Sequence, residues 1–431
     1  MIPNQPDELS RRQLLTSLAK SALGVSLLPL TGPTVAHGAD FVPNRPRAAK
    51  SVIFLMMSGG MSHLDTLDVM GKKKDVLGKT EAISTSATGM QLSANLPKTA
   101  QQMHHIALLN GMNTTQGAHE QGQYLMTRSY IMRGTIVHPA LGSWVVRLAG
   151  KRNSNLPGYV AISTDPNQAA GGFMGAKYSG VPIGEPGQGL QDSMRPNSVT
   201  EADFEKRLKL ADSMNKQFHT LVSNPSIREH NNLYSDALRL MRCEDLKGFD
   251  IAKEPTEMQE LYGKSRFGQG CLLARRLVEH GVRFVQVTLG GWDTHYDNFT
   301  AVPARAKDLD DGLAALLKDL HRRGMLNDTL VVLGTEFGRT PEIIGEHQDG
   351  RDHFPQAFSC LMAGGGVHGG TFYGKKDDKG GKVVEGLTTP QDLNATIGYA
   401  LGLPVDQVVI SPSGRPFTIA DKGKPITALF S

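Results

Sequence analysis

Short apolar runs closed by glycine or polar turns alternate with longer helix-period segments along most of this chain. Ser51–Met57 (SVIFLMM) is continuously apolar and is followed by Gly59-Gly60. Similar runs recur at 106–110, 158–163, 283–289, 329–333 and 358–362. Runs of this length, rich in β-branched and aliphatic residues, predict strands buried on both faces. Helical spacing predicts helices over 97–103, 138–148, 200–223, 227–241, 258–280, 302–323 and 392–401. In the second of these, Ala140, Leu141, Trp144, Val145 and Leu148 share one apolar face. Strands alternating with helices predict an α/β/α sandwich, a mainly parallel central sheet with helices on both faces. Residues 200–281 read as a long helical insertion, and the Gly- and Pro-rich stretch 164–197 as a surface loop or disordered lid.

Three of the strands end in chemistry. RFVQVTLGGWDTH (283–295) closes with Gly290-Gly291 and then delivers Asp293 and His295. LVVLGTEFGR (330–339) leads through Gly334 and Thr335 to Glu336, and its polar tail carries Arg351, Asp352 and His353. The first strand runs into Ser62, His63 and Asp65. In parallel sheets, ligands collect beyond the carboxyl ends of the strands. Carboxylates and imidazoles gathered there form a donor set for a divalent metal.

Composition narrows the class. The 431 residues are 39% hydrophobic and include 48 glycines, which suits many strand-to-loop switches. Net charge is only +4, and Lys72-Lys73-Lys74 is an isolated basic triplet, so nucleic-acid binding is not expected. Cys243, Cys271 and Cys360 lack metal-type spacing and read as free thiols, with one disulfide left open.

At the N-terminus, Arg11-Arg12 precede a modest apolar stretch from Leu14 to Leu30 and the small residues Ala36, Gly38 and Ala39. This order predicts a twin-arginine signal over 1–39, a linker over 40–50 and one domain over 51–431. Thr16, Ser17, Lys20 and Ser21 interrupt the stretch, so a stable membrane span is not expected. The expected partner is the twin-arginine export machinery and the expected location periplasmic or extracellular. The oligomeric state is not legible.

MMSGGMSHLDTLD (56–68), NTTQGAHEQGQYLMTRSY (113–130), HPALGSWV (138–145), GGWDTHYDN (290–298), GTEFGRTP (334–341) and GRDHFP (350–355) occur in that order. In these segments the chain resembles the DUF1501 family of exported bacterial proteins, of the alkaline phosphatase and sulfatase superfamily. The resemblance implies an alkaline phosphatase-like fold and a site of one or two divalent ions, zinc first, with calcium, magnesium or manganese as alternatives. It also implies hydrolysis of an anionic phosphate or sulfate ester. On that pattern Asp293, His295 and His353 look like metal ligands, joined by Asp352. Glu336 takes the place of an aspartate whose partner histidine is here Phe337. His63 and Asp65 stand in for an acid missing after the first strand, where glycines occur. The helix start that usually carries a nucleophile reads Gly117-Ala118-His119-Glu120, without Ser, Thr or Cys. Thr114, Thr115 or Ser62 could supply a hydroxyl; a metal-activated water would need none.

His119 or Glu120 is then a ligand or proton acceptor, and Arg339 and Arg351 could clamp anionic oxygens. Blander roles compete: Asp293 as a turn cap, and Glu336 as an i,i+3 partner of Arg339. The alternative function is a non-catalytic exported binding or scaffold protein that keeps the fold without the nucleophile.

Overall fold

The computed structural model describes residues 49–195, 197–221, 225–344 and 349–430. They fall within one compact unit, Pro43–Ser431. The expected signal segment lies outside the described residues.

Eight strands form the central sheet: β1 (Ser51–Met57), β2 (Ile106–Met112), β3 (Tyr159–Ile162), β4 (Val181–Ile183), β5 (Phe284–Leu289), β6 (Thr329–Thr335), β7 (Phe358–Gly364) and β8 (Thr371–Tyr373). Their order is β8-β2-β7-β6-β1-β5-β3-β4. β7 runs antiparallel to both its neighbours, and every other pairing is parallel. β1 sits at the centre, wholly buried, as its unbroken apolar run requires.

The main helices are α1 (His119–Arg128), α2 (Leu141–Ala149), α3 (Glu201–Leu221), α4 (Pro225–Arg242), α5 (Arg266–Glu279), α6 (Asn298–Arg322) and α7 (Pro390–Ala400). α5 and α6 cover one face of the sheet, and α1 and α2 the other. Ile53, Leu55 and Met57 share a core with Val285, Val287 and Leu333 and with Leu273 of α5 and Leu313 of α6. On the opposite face, a Cβ on Gly334 would reach Phe54 and Met126 of α1, and one on Gly142 of α2 would strike Phe284. The mixed α/β sandwich expected from the alternating pattern is therefore present.

Three elements differ from that pattern. The single helix over 258–280 is two, Thr256–Tyr262 and α5, separated at Gly263, whose φ is +76°, with Ser265 capping the second through Gly268 N. The α5 helix, counted within the insertion, packs directly on β5 and β1 and is a layer of the sandwich. Residues 164–195 form short 3₁₀ turns and the edge strand β4, not an open loop. The three cysteines are free. Among the described residues, no helix is long and apolar enough to cross a membrane.

Candidate metal centre

Register places the strand exits level. Met57 of β1 pairs with Leu289 of β5 and with Thr335 of β6, so the loops carrying Gly59, Asp293 and Glu336 leave the same edge. β2 ends there too, leading to His119 at the start of α1. The reversed strand β7 begins at this edge, since Phe358 pairs with Met112. His353, five residues earlier, is therefore delivered from the start of a strand. A two-residue ribbon pairing His353 with Arg339 fixes it beside the β6 exit. Close packing of the exits depends on Gly59: its φ is +118°, and a Cβ there would lie 2.7 Å from the Asp293 backbone nitrogen.

Three imidazoles and one carboxylate converge. His295 Nε2 lies 3.0 Å from Asp293 Oδ1 and 3.0 Å from His353 Nε2. His353 Nε2 is 3.4 Å from Asp293 Oδ1, and His119 Nε2 is 3.3 Å from Asp293 Oδ2. The last contact is out of hydrogen-bond line, and His119 Nε2 is buried with no hydrogen-bond partner. Donors on a tetrahedral ion, at bonds of about 2.0–2.1 Å, stand roughly 3.3 Å apart. These four distances lie near that edge length, with Asp293 reached through both of its oxygens. Among the described residues, the groups that could hold an ion are His119, Asp293 and His353, and His295, Asp352 and His353.

The outer nitrogens determine which lone pairs face inward. His119 Nδ1 is 2.8 Å from Glu336 Oε1, and His353 Nδ1 is 2.8 Å from the Gly117 carbonyl. A carbonyl or carboxylate can only accept, so each Nδ1 carries the proton and each Nε2 presents its lone pair. His295 Nδ1 stands 3.5 Å from Asp352 Oδ1. Histidines held this way by outer acceptors are characteristic of metal ligands.

Electrostatics agree. Burial pushes the Asp293 carboxyl up, but Arg339, with help from His119 and His295, outweighs it and holds the pKa at about 2. The hydrogen bond to Glu336 raises the His119 pKa; burial opposes it and the charges of Glu336 and Asp293 add to it. Phe337, wholly buried, sets its ring 5.0 Å from His119 and 4.6 Å from His353 and so walls both imidazoles.

Several expected site residues have other work. Glu336 is fully buried and accepts from Gly59 N, His119 and Gln123 Nε2, so its carboxylate is occupied in orienting His119. Asp65, expected as a ligand, binds Arg351, Ser62, Thr80 and Asn298. His63 is buried with Nε2 against the Gly380 carbonyl, and burial and the nearby Lys376 lower its pKa to about 3. Among the described residues, neither belongs to a metal-type group.

Arg351 donates to Asp65 and to the carbonyls of Thr340, Pro341 and Val76, leaving no fork for an anion. Arg339 donates to Gly59, Gly60, Arg351 and Asp293, and it positions Asp293 rather than clamping a substrate. Ser62 is committed to Asp65. Glu120 is exposed on the first turn of α1.

The sequence reading passed over Gln123, which bridges Ser58 Oγ and Glu336. Its signal was the i,i+4 spacing from His119, which puts both on one helix face.

The model of the family described as "Protein of unknown function (DUF1501)" matches residues 49–430. The chain belongs to the DUF1501 family. No curated protein matches it. Among solved structures, this DUF1501 protein is similar to the PsFucS1 sulfatase from Pseudoalteromonas sp., with 12% identity and a TM-score of 0.41 over 89% of this chain and 72% of that one. It is similar to the phosphonate monoester hydrolase of Silicibacter pomeroyi, with 12% identity and a TM-score of 0.39 over 88% and 76%. The alkaline phosphatase of the Antarctic bacterium TAB5 overlaps with 9% identity and a TM-score of 0.38 over 82% and 98%. Overlaps this loose carry nothing about the chemistry of the DUF1501 site, which rests on its own geometry.

Proposed function

We propose that this DUF1501 protein is a divalent-metal-dependent hydrolase of phosphate or sulfate esters, with zinc the best fit to its donors. The observation that carries the reading is the gathering of His119, His295 and His353 Nε2 within 3.0–3.4 Å of Asp293 oxygens, in two overlapping groups that could hold an ion. Three imidazoles and a carboxylate suit zinc better than calcium or magnesium, which favour all-oxygen shells. A bound ion supplies Lewis acidity and acidifies water, to a pKa of roughly 7 in zinc hydrolases.

The chain's residues do the rest. Glu336 and the Gly117 carbonyl hold the Nδ1 protons, Arg339 fixes Asp293, and Phe337 keeps water from the backs of two rings. Asp293 is 47% exposed and His295 34%, so the cluster stays open on one side, as a catalytic site must. The uncapped start of α1, with His119 as its first residue, offers backbone N–H groups to an anionic ester. Glu120, exposed on the same turn, is the candidate proton carrier.

Elemental analysis of the purified protein should find about one zinc-type ion per chain, and 4-nitrophenyl phosphate or sulfate should turn over until a chelator is added. His295→Ala with His353→Ala should remove both the ion and the turnover. A double variant that keeps its full metal content would refute the site.

One observation favours a second reading. Arg339, Arg351 and Ser62 are all occupied internally, so neither expected arginine clamp nor the Ser62 hydroxyl is free. A protein that binds metal yet is inert across a broad ester panel would be a non-catalytic binding protein. Residues 1–39 are proposed as a twin-arginine export signal to the periplasm or beyond. Export that survives Arg11→Lys with Arg12→Lys would refute that.

A further inference from the structure

The chain leaving α1 reverses at Gly134-Thr135, where Arg133 and Ile136 form an antiparallel bridge. Beyond α7, Val409 and Ile410 pair with Phe417 and Pro416 across a turn at 411–415. The two hairpins are joined at their bases. The Tyr130 ring lies 5.3 Å from Phe417, and Tyr130 Oη donates to the Thr418 carbonyl at 2.8 Å. Ser129 Oγ donates to the Ile419 carbonyl at 3.1 Å, and the Phe173 ring lies 5.1 Å from Phe417. These three rings are half-buried, while Ile131, Val137, Val408 and Ile410 on the same two segments are 50–59% exposed. Four large aliphatic side chains half or more in water about one junction exceed the scattered single ones of an ordinary surface.

Charge at the two turns has one sign. Within 130–138 and 408–417 the charged residues are Arg133 and Arg415, both exposed. Neither guanidinium has a carboxylate partner among the described residues. His138, its pKa lowered to about 4 by burial and by Arg128 and Arg133, stays neutral. Residues 121–164 contain no carboxylate, and 166–184, which carries Phe173, contains Lys177 and no acid. The nearby acids sit at the base of the second hairpin. Asp406 precedes it, Asp421 follows it with Lys422 and Lys424 beside it, and Asp392, next to Lys424, caps α7. Protein-binding hot spots favour Trp, Tyr and Arg over small aliphatic groups. Aliphatic tips, arginines at the turns and aromatic rings at the base instead make an interfacial anchor. The aliphatic groups enter the acyl boundary, the rings lie at headgroup depth and the guanidinium groups meet lipid phosphates.

We propose that these paired hairpins dock the protein on an anionic lipid bilayer, with Ile131, Val137, Val408 and Ile410 inserted and Arg133 and Arg415 on the headgroups. Nothing in this assignment depends on metal binding.

Co-sedimentation of the full chain with vesicles tests it, using phosphatidylcholine alone or mixed with phosphatidylglycerol. The mixed vesicles should bind the chain at least about tenfold more tightly, and added salt should weaken that binding. Ile131→Ser with Val137→Ser, and separately Arg133→Gln with Arg415→Gln, should each weaken binding to mixed vesicles about tenfold. All four positions are exposed, so circular dichroism should show an unchanged fold; if one double variant misfolds, the other decides. Residues 14–30 are themselves apolar, so binding that survives both double variants would belong to the N-terminal segment and overturn the proposal. Absence of vesicle binding, or equal binding to the two vesicle types, would overturn it as well. Binding of polyglutamate without binding of vesicles would mark a protein site instead and have the same effect.

Discussion

Glu336 shows how one buried carboxylate can set the state of a proposed ligand, His119. Its Oε1 accepts the hydrogen bond of His119 Nδ1–H, so the lone pair of His119 Nε2 is available to a cation. Glu336→Gln keeps the shape and removes the charge, and outer-shell changes of this kind cost about 10- to 100-fold in metal affinity. Zinc titration of that variant should show a loss of this size with the fold intact; unchanged affinity would make Glu336 merely structural.

Protons compete for the same nitrogens, so zinc affinity should fall as pH drops from about 7 to 5. The signs on stability follow from the two shifts. The raised pKa of metal-free His119 means its pairing with Glu336 contributes fully below the ordinary histidine range and fades as pH rises through the raised value. The depressed Asp293 pKa contributes above the ordinary carboxylate range and is lost as pH falls toward about 2. Metal-free protein should therefore keep the His119 contribution in mild acid, where the metal-loaded protein loses its ion. Thermal midpoints of the two forms that converge between pH 7 and 5 would bear this out, and a constant gap would contradict it.

Elements explain which site residues could be read in advance. Asp293, His295 and His119 follow strands whose apolar runs are unmistakable, so the exits announce themselves. His353 is different, because nothing local says that the next strand, β7, runs backward and so begins at the site edge. Asp65 and Arg351 were misread for a related reason. Their ion pair joins positions 286 apart in sequence, and only the folded chain reveals that the two satisfy each other. Phe337, read as a missing histidine, supplies an aromatic wall in its place.

The exits also set a steric test. Gly59→Ala would force a Cβ to 2.7 Å from the Asp293 nitrogen at a φ of +118°, costing roughly 1–3 kcal/mol. Both the unfolding midpoint and zinc affinity should drop, because the strained loop carries Asp293. A fall in stability alone would separate the loop from the site.

The whole molecule depends on a second charge network, built into α5. Arg275, wholly buried, reaches Glu254 at 2.7 Å and Asp319 at 2.9 Å, although neither approach is in hydrogen-bond line. It also pairs with Glu279, and Arg276 and Arg323 join the same acids. Removing one member leaves buried charge uncompensated, so Arg275→Met should cost roughly 3–5 kcal/mol in urea unfolding. Metal content should stay as before in the fraction that folds; simultaneous loss of metal would mean that the network reaches the sheet edge.

The proposed centre draws on His119 from the early chain, Asp293 and His295 from the middle and His353 from beyond the last central parallel strand. A half-assembled sheet cannot offer all four donors. Cation capture would then act as a checkpoint on chain closure: in a refolding mixture, the fraction of molecules carrying an ion would count those that had completed their topology.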